Sequence, residues 1–145
     1  MVEFIAYAKA NPGKLSYGST GGGAASHLSA ELLKAMAGIE RLHVPYKGTG
    51  QALADLLGGR IQMMVAPTQT VIAHVTSGKL PALAATGKAR SVAAPTVPTA
   101  AEAGLIGYEA TGWFGLVAPA NTPIRRRKSY KNSTLKSIPS SRQQK

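Results

Sequence analysis

Apolar and polar positions alternate along this chain with two periods, and glycine or proline punctuates each change of period. Residues 1–10 carry Phe4, Ile5 and Ala8 at helical spacing, and Asn11-Pro12-Gly13 stops the helix they predict. Residues 15–19 read as a short strand that runs into Gly21-Gly22-Gly23. Leu28, Leu32 and Met36 then recur every four residues, predicting one apolar face on a helix that reaches Ala37, with Gly38 as its C-cap. Residues 41–46 predict a second strand. Lys47-Gly48-Thr49-Gly50 predicts a turn with Thr49 as N-cap of a helix to Leu57, closed by Gly58-Gly59. Residues 61–66 form a nearly continuous apolar run, as in a strand covered on both faces. Pro67-Thr68 opens a helix over 71–76, and residues 80–86 predict a fourth strand. Beyond it the pattern loosens: Thr99 is placed to cap a short helix through Glu102, and residues 113–118 form a fifth apolar run.

Strand and helix periods alternate throughout. The fold class predicted is therefore α/β, a mainly parallel sheet with helices on both faces. In such sheets ligands gather at the carboxyl ends of the strands, where the turns at 18–24, 47–50 and 67–70 would meet.

The turn over Ser19, Thr20, Gly21, Gly22, Gly23 and Ala24 is the candidate chemistry. A glycine turn opening a helix presents unpaired N–H groups at the positive end of the helix dipole, a site for an anion. The phosphate motifs fail: Gly18 and Gly23 have Walker spacing, but Ala24 and Ala25 follow instead of Lys and Ser or Thr. The dinucleotide fingerprint fails at Ser26, and Tyr17 stands where a hydrolase elbow needs glycine before Ser19. That leaves a carboxylate, or a tight strand-to-helix corner with no ligand. Tyr46, Lys47 and Thr68 follow strands at the same edge and are further ligand candidates. Lys47 also reads as a solvated lysine, Thr68 equally as a helix cap, Trp113 as core or a cleft wall, and His27 as a structural or helix-surface residue that could donate to a carboxylate. Three scattered histidines without an acid cluster, no cysteine, and no catalytic pair predict neither a metal site, nor a cofactor, nor an enzyme.

The chain has 145 residues and a formal charge of +11, but the charge is uneven. Residues 124–145 hold eight Lys or Arg and no acid; residues 1–123 hold nine basic and six acidic groups. The basic balance thus belongs mostly to a tail for which disorder is expected, and nucleic-acid binding is expected only there. No apolar run is long enough to span a membrane, and residues 1–4 lack the pattern of a signal peptide.

Residues 6–19 (AYAKANPGKLSYGS), 43–48 (HVPYKG), 78–80 (GKL), 97–104 (VPTAAEAG) and 113–119 (WFGLVAP) together resemble the tripartite tricarboxylate transporter substrate-binding proteins, the Bug or TctC-like receptors. The resemblance covers residues 1–123 in order. It implies a periplasmic-binding-protein-like lobe, the second of two that close on a small carboxylate held mainly by backbone N–H groups. It also implies a periplasmic location and the membrane components of such a transporter as partners. Ser19 to Gly23 would lie in the ligand loop. Ala24 stands where the family often has a hydroxyl, and Gln62 where it often has an acid. The family's leader and first lobe have no counterpart here, and residues 124–128 depart from its pattern. The expectation is a truncated, frame-shifted or domain-sized form that binds weakly alone. The alternatives are a nucleic-acid-associated protein acting through residues 125–145 and a small α/β enzyme on an anionic substrate.

Overall fold

A computed structural model of the chain describes residues 1–112 together with Val117 and Pro119. The expected fifth strand and the basic tail lie outside the described residues. Met1–Gly112 form one compact unit.

Seven elements follow in the order α1 (Val2–Ala10), β1 (Ser16–Ser19), α2 (Ala25–Ala37), β2 (Leu42–Pro45), α3 (Thr49–Leu57), β3 (Met63–Met64) and α4 (Thr68–Thr76). The strands form a parallel sheet in the order β2-β1-β3. Tyr17 stands opposite His43 on one side and Met63 on the other, and Gly18 stands between Val44 and Met64. Parallel neighbours need crossovers, and α2 and α3 supply them.

The two faces of β1 are covered differently. On one face Tyr17 and Met63 join Ala8 of α1 and Ala30, Leu33 and Ala37 of α2 in the main core. On the other, α3 comes so close that a Cβ on Gly18 would stand 3.4 Å from that of Ala52 and 2.5 Å from Ile61 Cδ1. Helices thus cover both faces, as the alternation of periods predicts.

Four local expectations are corrected. The buried face of α2 is Ala30, Leu33 and Ala37, while Leu28, Leu32 and Met36 face outward at 59%, 38% and 39% exposure. Two alanines let the helix lie close on the sheet, and that close packing outweighs the larger leucine stripe. Residues 80–86 do not form a strand: Pro81 has no N–H, and Ala85 makes a lone bridge to Thr99. The N-cap of α3 is Gly48, and Thr49 is already helical. Thr99 and Glu102 form a reciprocal cap, with Glu102 N–H donating to Thr99 Oγ1 (3.1 Å) and Thr99 N–H to Glu102 Oε2 (2.8 Å). The cap and the stop at Gly104 (φ 100°) are as expected, and only the helix between them is corrected, to a single turn.

Candidate ligand loop at the carboxyl edge of the sheet

All three strands run the same way, so Ser19, Pro45 and Met64 end at one edge. Tyr46 N–H donates to the Ser19 carbonyl there at 2.9 Å, tying the exit of β2 to that of β1. The chain leaves β1 through Gly21 (φ 125°) and Gly23 (φ 77°), conformations that side chains disfavour, and enters α2 at Ala25.

Ser19 is fully buried beneath this loop. Its Oγ lies 2.7 Å from His43 Nε2, donates to the Gly21 carbonyl (3.1 Å) and accepts from the Gly21 N–H (3.2 Å). Thr20 N–H donates to Ser26 Oγ (3.1 Å), Gly23 N–H to His27 Nδ1 (3.1 Å), and Ala24 N–H to the Gly21 carbonyl (3.3 Å). Four loop amides are therefore held by the protein's own groups. The N-cap residue Ala24 offers no side-chain oxygen to the helix. The N–H groups of Gly22, Ala25, Ser26 and His27 donate to no group among the described residues.

Under the loop the rings of His27, His43 and Tyr17 are stacked, with centroids 4.2 Å apart for the histidines and 4.9 Å for His43 and Tyr17. Tyr17 donates its hydroxyl to Glu31, which also pairs with Lys34 at 2.8 Å. Burial holds His43 below the ordinary histidine range, and the neighbouring His27 adds to this. Burial pushes the Tyr17 phenol up, with Glu31 second. Lys34, then Tyr17, holds Glu31 below its ordinary value.

Of the candidates named from the sequence, Ser19 to Ala24 form this one loop. Tyr46 follows β2, but its hydroxyl donates to Asp55 (2.8 Å) and its ring lies against Gly18 on the α3 face. Lys47 is exposed, with no ion-pair partner among the described residues. Thr68 is half-buried as the first residue of α4, and the N-cap is Pro67, so Thr68 is not the cap the sequence suggests. It lines a separate, mainly apolar cavity of about 420 Å³, together with Met63, Val65, Val71, Leu83 and Ala84. The sequence gives no sign of Ser26, and of the two roles it offers His27, structural or helix-surface, the structural one holds. The i, i+4 spacing of Gly23 and His27 across a helix start was the available signal.

The buried guanidinium of Arg41 is the other polar group of note. It lies over the Phe4 ring, 4.6 Å from its centroid, and touches Met63 Sδ, while Nε and Nη2 have no partner. Burial pulls it down to about 10. Among the described residues no cluster of three potential metal ligands occurs, and no helix is long and apolar enough to cross a membrane.

Comparison with known proteins supplies the context. A family model described as Tripartite tricarboxylate transporter family receptor matches residues 1–139. The chain is 48% identical over 122 residues to the UPF0065 protein in the gbd 5′ region of Cupriavidus necator, covering 84% of this chain and 37% of that protein. It is 39% identical over 118 residues to Protein BugT of Bordetella pertussis, covering 81% and 36%. Among solved structures it matches R. palustris Rpa4515 with adipate at a TM-score of 0.84 and 37% identity, covering 89% of this chain and 43% of that one. It matches MatC (Rpa3494) from Rhodopseudomonas palustris with bound malate at 0.71 and 31%, covering 75% and 37%. The chain thus spans little more than a third of the length of these two curated relatives.

Proposed function

The chain belongs to the tripartite tricarboxylate transporter receptor family, and on that premise we propose that residues 1–123 are one lobe of a solute receptor whose loop 19–27 takes a carboxylate group of a small organic acid. The observation that carries this reading is the open set of N–H groups on Gly22, Ala25, Ser26 and His27, at the positive end of α2 and at the carboxyl edge of the sheet. Two structures of similar fold were solved with adipate and with malate, both dicarboxylates, and one carboxylate would sit on this loop. Ser19 and Thr20 shape the loop, Tyr46 braces the exit of β2, and Lys47 adds a diffuse positive field. Thr68 reaches the same edge from α4. No step of bond making is assigned: the protein binds and releases. In the family's setting this lobe would close against a second one and hand its ligand to the membrane components of the transporter in the periplasm.

One lobe leaves the ligand open to water on its far side, so affinity by this chain is expected in the millimolar range, about −4 kcal/mol. Titrating the ¹⁵N-labelled chain with adipate and malate tests the reading. The expected result is saturating shifts centred on the amides of residues 22–27. Shifts elsewhere with none on that loop would overturn it.

A further inference from the structure

The hydrogen bond from Gly23 N–H to His27 Nδ1 has a chemical condition attached. Nδ1 accepts only while it carries no proton, so His27 must be the neutral tautomer with its proton on Nε2. An imidazolium bears N–H on both nitrogens. Its Nδ1–H would then face the Gly23 N–H donor to donor, and the bond would be lost.

We propose that His27 is a proton-linked positioning residue of the ligand loop: neutral, it closes the loop on itself by holding the Gly23 N–H; protonated, it releases that N–H and turns its own Nδ1–H toward an incoming carboxylate. The carboxylate half of this rests on the function proposed above; the opening of the loop does not.

Groups from three elements face His27. From β2, His43 faces His27 at 4.2 Å, its Nε2 committed to buried Ser19. Two stacked imidazolium rings would repel, and His43 is the one that burial keeps neutral. From β1, Tyr17 faces the pair as an un-ionised phenol. From α2 itself Glu31 faces His27, and Glu31 is paired with Lys34. His27 is the third residue of α2, where a positive charge opposes the helix dipole. An anion bound to the loop would compensate that charge, so proton and carboxylate should be taken up together.

The test has two arms on the full chain. Without ligand, the ¹⁵N–¹H shift of Gly23 and the His27 ring signals are followed from pH 5 to 8. The expected result is one shared midpoint for both, and a flat Gly23 profile in His27→Gln. A Gly23 shift that ignores the His27 titration, or that titrates unchanged in H27Q, overturns the proposal. In the second arm malate is titrated at pH 6.0 and 7.5. Binding should be severalfold tighter at the lower pH, where a proton on His27 frees the Gly23 N–H and adds a donor to the loop. H27Q should bind equally at both. Equal binding by the unmodified chain at the two pH values overturns the linkage and leaves the carboxylate reading standing. No binding at either pH, with the first arm as expected, overturns the carboxylate reading and leaves the loop opening standing.

Discussion

The end of the Ile61 side chain occupies the space in which a side chain at Gly18 would begin. A Cβ there would lie 2.5 Å from Ile61 Cδ1 and 3.2 Å from Tyr46 Cε2, with Ala52 Cβ at 3.4 Å. This is why β1 can be the central strand with α3 laid directly on it. Gly18→Ala should therefore cost about 1–3 kcal/mol, the usual range for overpacking a close-packed interior. Urea unfolding of the single variant, and of Gly18→Ala with Ile61→Val, checks the cause. The second change should recover part of the loss, because the flexible end of Ile61 is the nearest obstacle.

Arg41 makes the opposite case. Its Nε and Nη2 are buried without a partner, and its compensation is the Phe4 ring and a sulfur contact. Taking a guanidinium out of water without an acceptor costs more than a cation–π contact returns. Arg41→Met keeps much of the stem's packing and removes the stranded donors. It should raise stability by about 1 kcal/mol, within the range seen when buried charges give way to apolar groups. A fall in the unfolding midpoint of R41M would show that an acceptor satisfies this group.

How far all this was legible beforehand differs by level. The four helices and the strands β1 to β3 stand where period and punctuation put them, which are local properties, though only Met63–Met64 of the 61–66 run pairs as strand and α4 begins at Thr68, ahead of the 71–76 span. Residues 80–86 read as a strand from their apolar content, but strandhood needs a neighbour, and Pro81 cannot donate to one. The face of α2 is not legible from the size of its apolar residues, because close approach decides it: Ala30 and Ala37 are what admit the sheet. Within the site, the glycines marked the loop. That its amides are held by Ser19, Ser26 and His27 depends on side-chain directions across the β1–α2 corner, which no one-dimensional pattern carries.

The Tyr17–Glu31–Lys34 chain sets a pH dependence. Lys34 first, and then Tyr17, hold Glu31 below its unfolded value of 4.5. A carboxyl with a depressed folded pKa contributes stability that is present above the unfolded value and is lost as pH falls through the folded one. His43, also depressed but a base, adds a loss that begins when the unfolded chain takes up its proton, below about 6.5. Glu31→Gln still accepts from Tyr17 but does not titrate. Thermal midpoints measured from pH 6 down to pH 3 should fall less steeply in E31Q than in the unmodified chain, with the His43 share common to both. Parallel curves would remove Glu31 from the account.

Ser19 holds the loop from beneath, and Ser26 holds it from the side. Ser19 Oγ is fully buried and serves three groups at once: His43 Nε2, the Gly21 N–H and the Gly21 carbonyl. In Ser19→Ala, His43 Nε2 and the Gly21 N–H lose their partner, while the Gly21 carbonyl keeps the Ala24 N–H, so the loss should be about 2 kcal/mol, the cost of leaving part-buried polar atoms unpaired. Ser26 Oγ holds Thr20 N–H at 3.1 Å in a more open position, where water can replace it. Ser26→Ala should therefore cost less than about 1 kcal/mol. The two variants should also part company in dynamics. S19A should raise amide exchange across residues 21–23, while S26A should raise it at Thr20 alone. If S26A loosened the whole loop and S19A did not, the loop would be held by its helix rather than by the strand that leads into it.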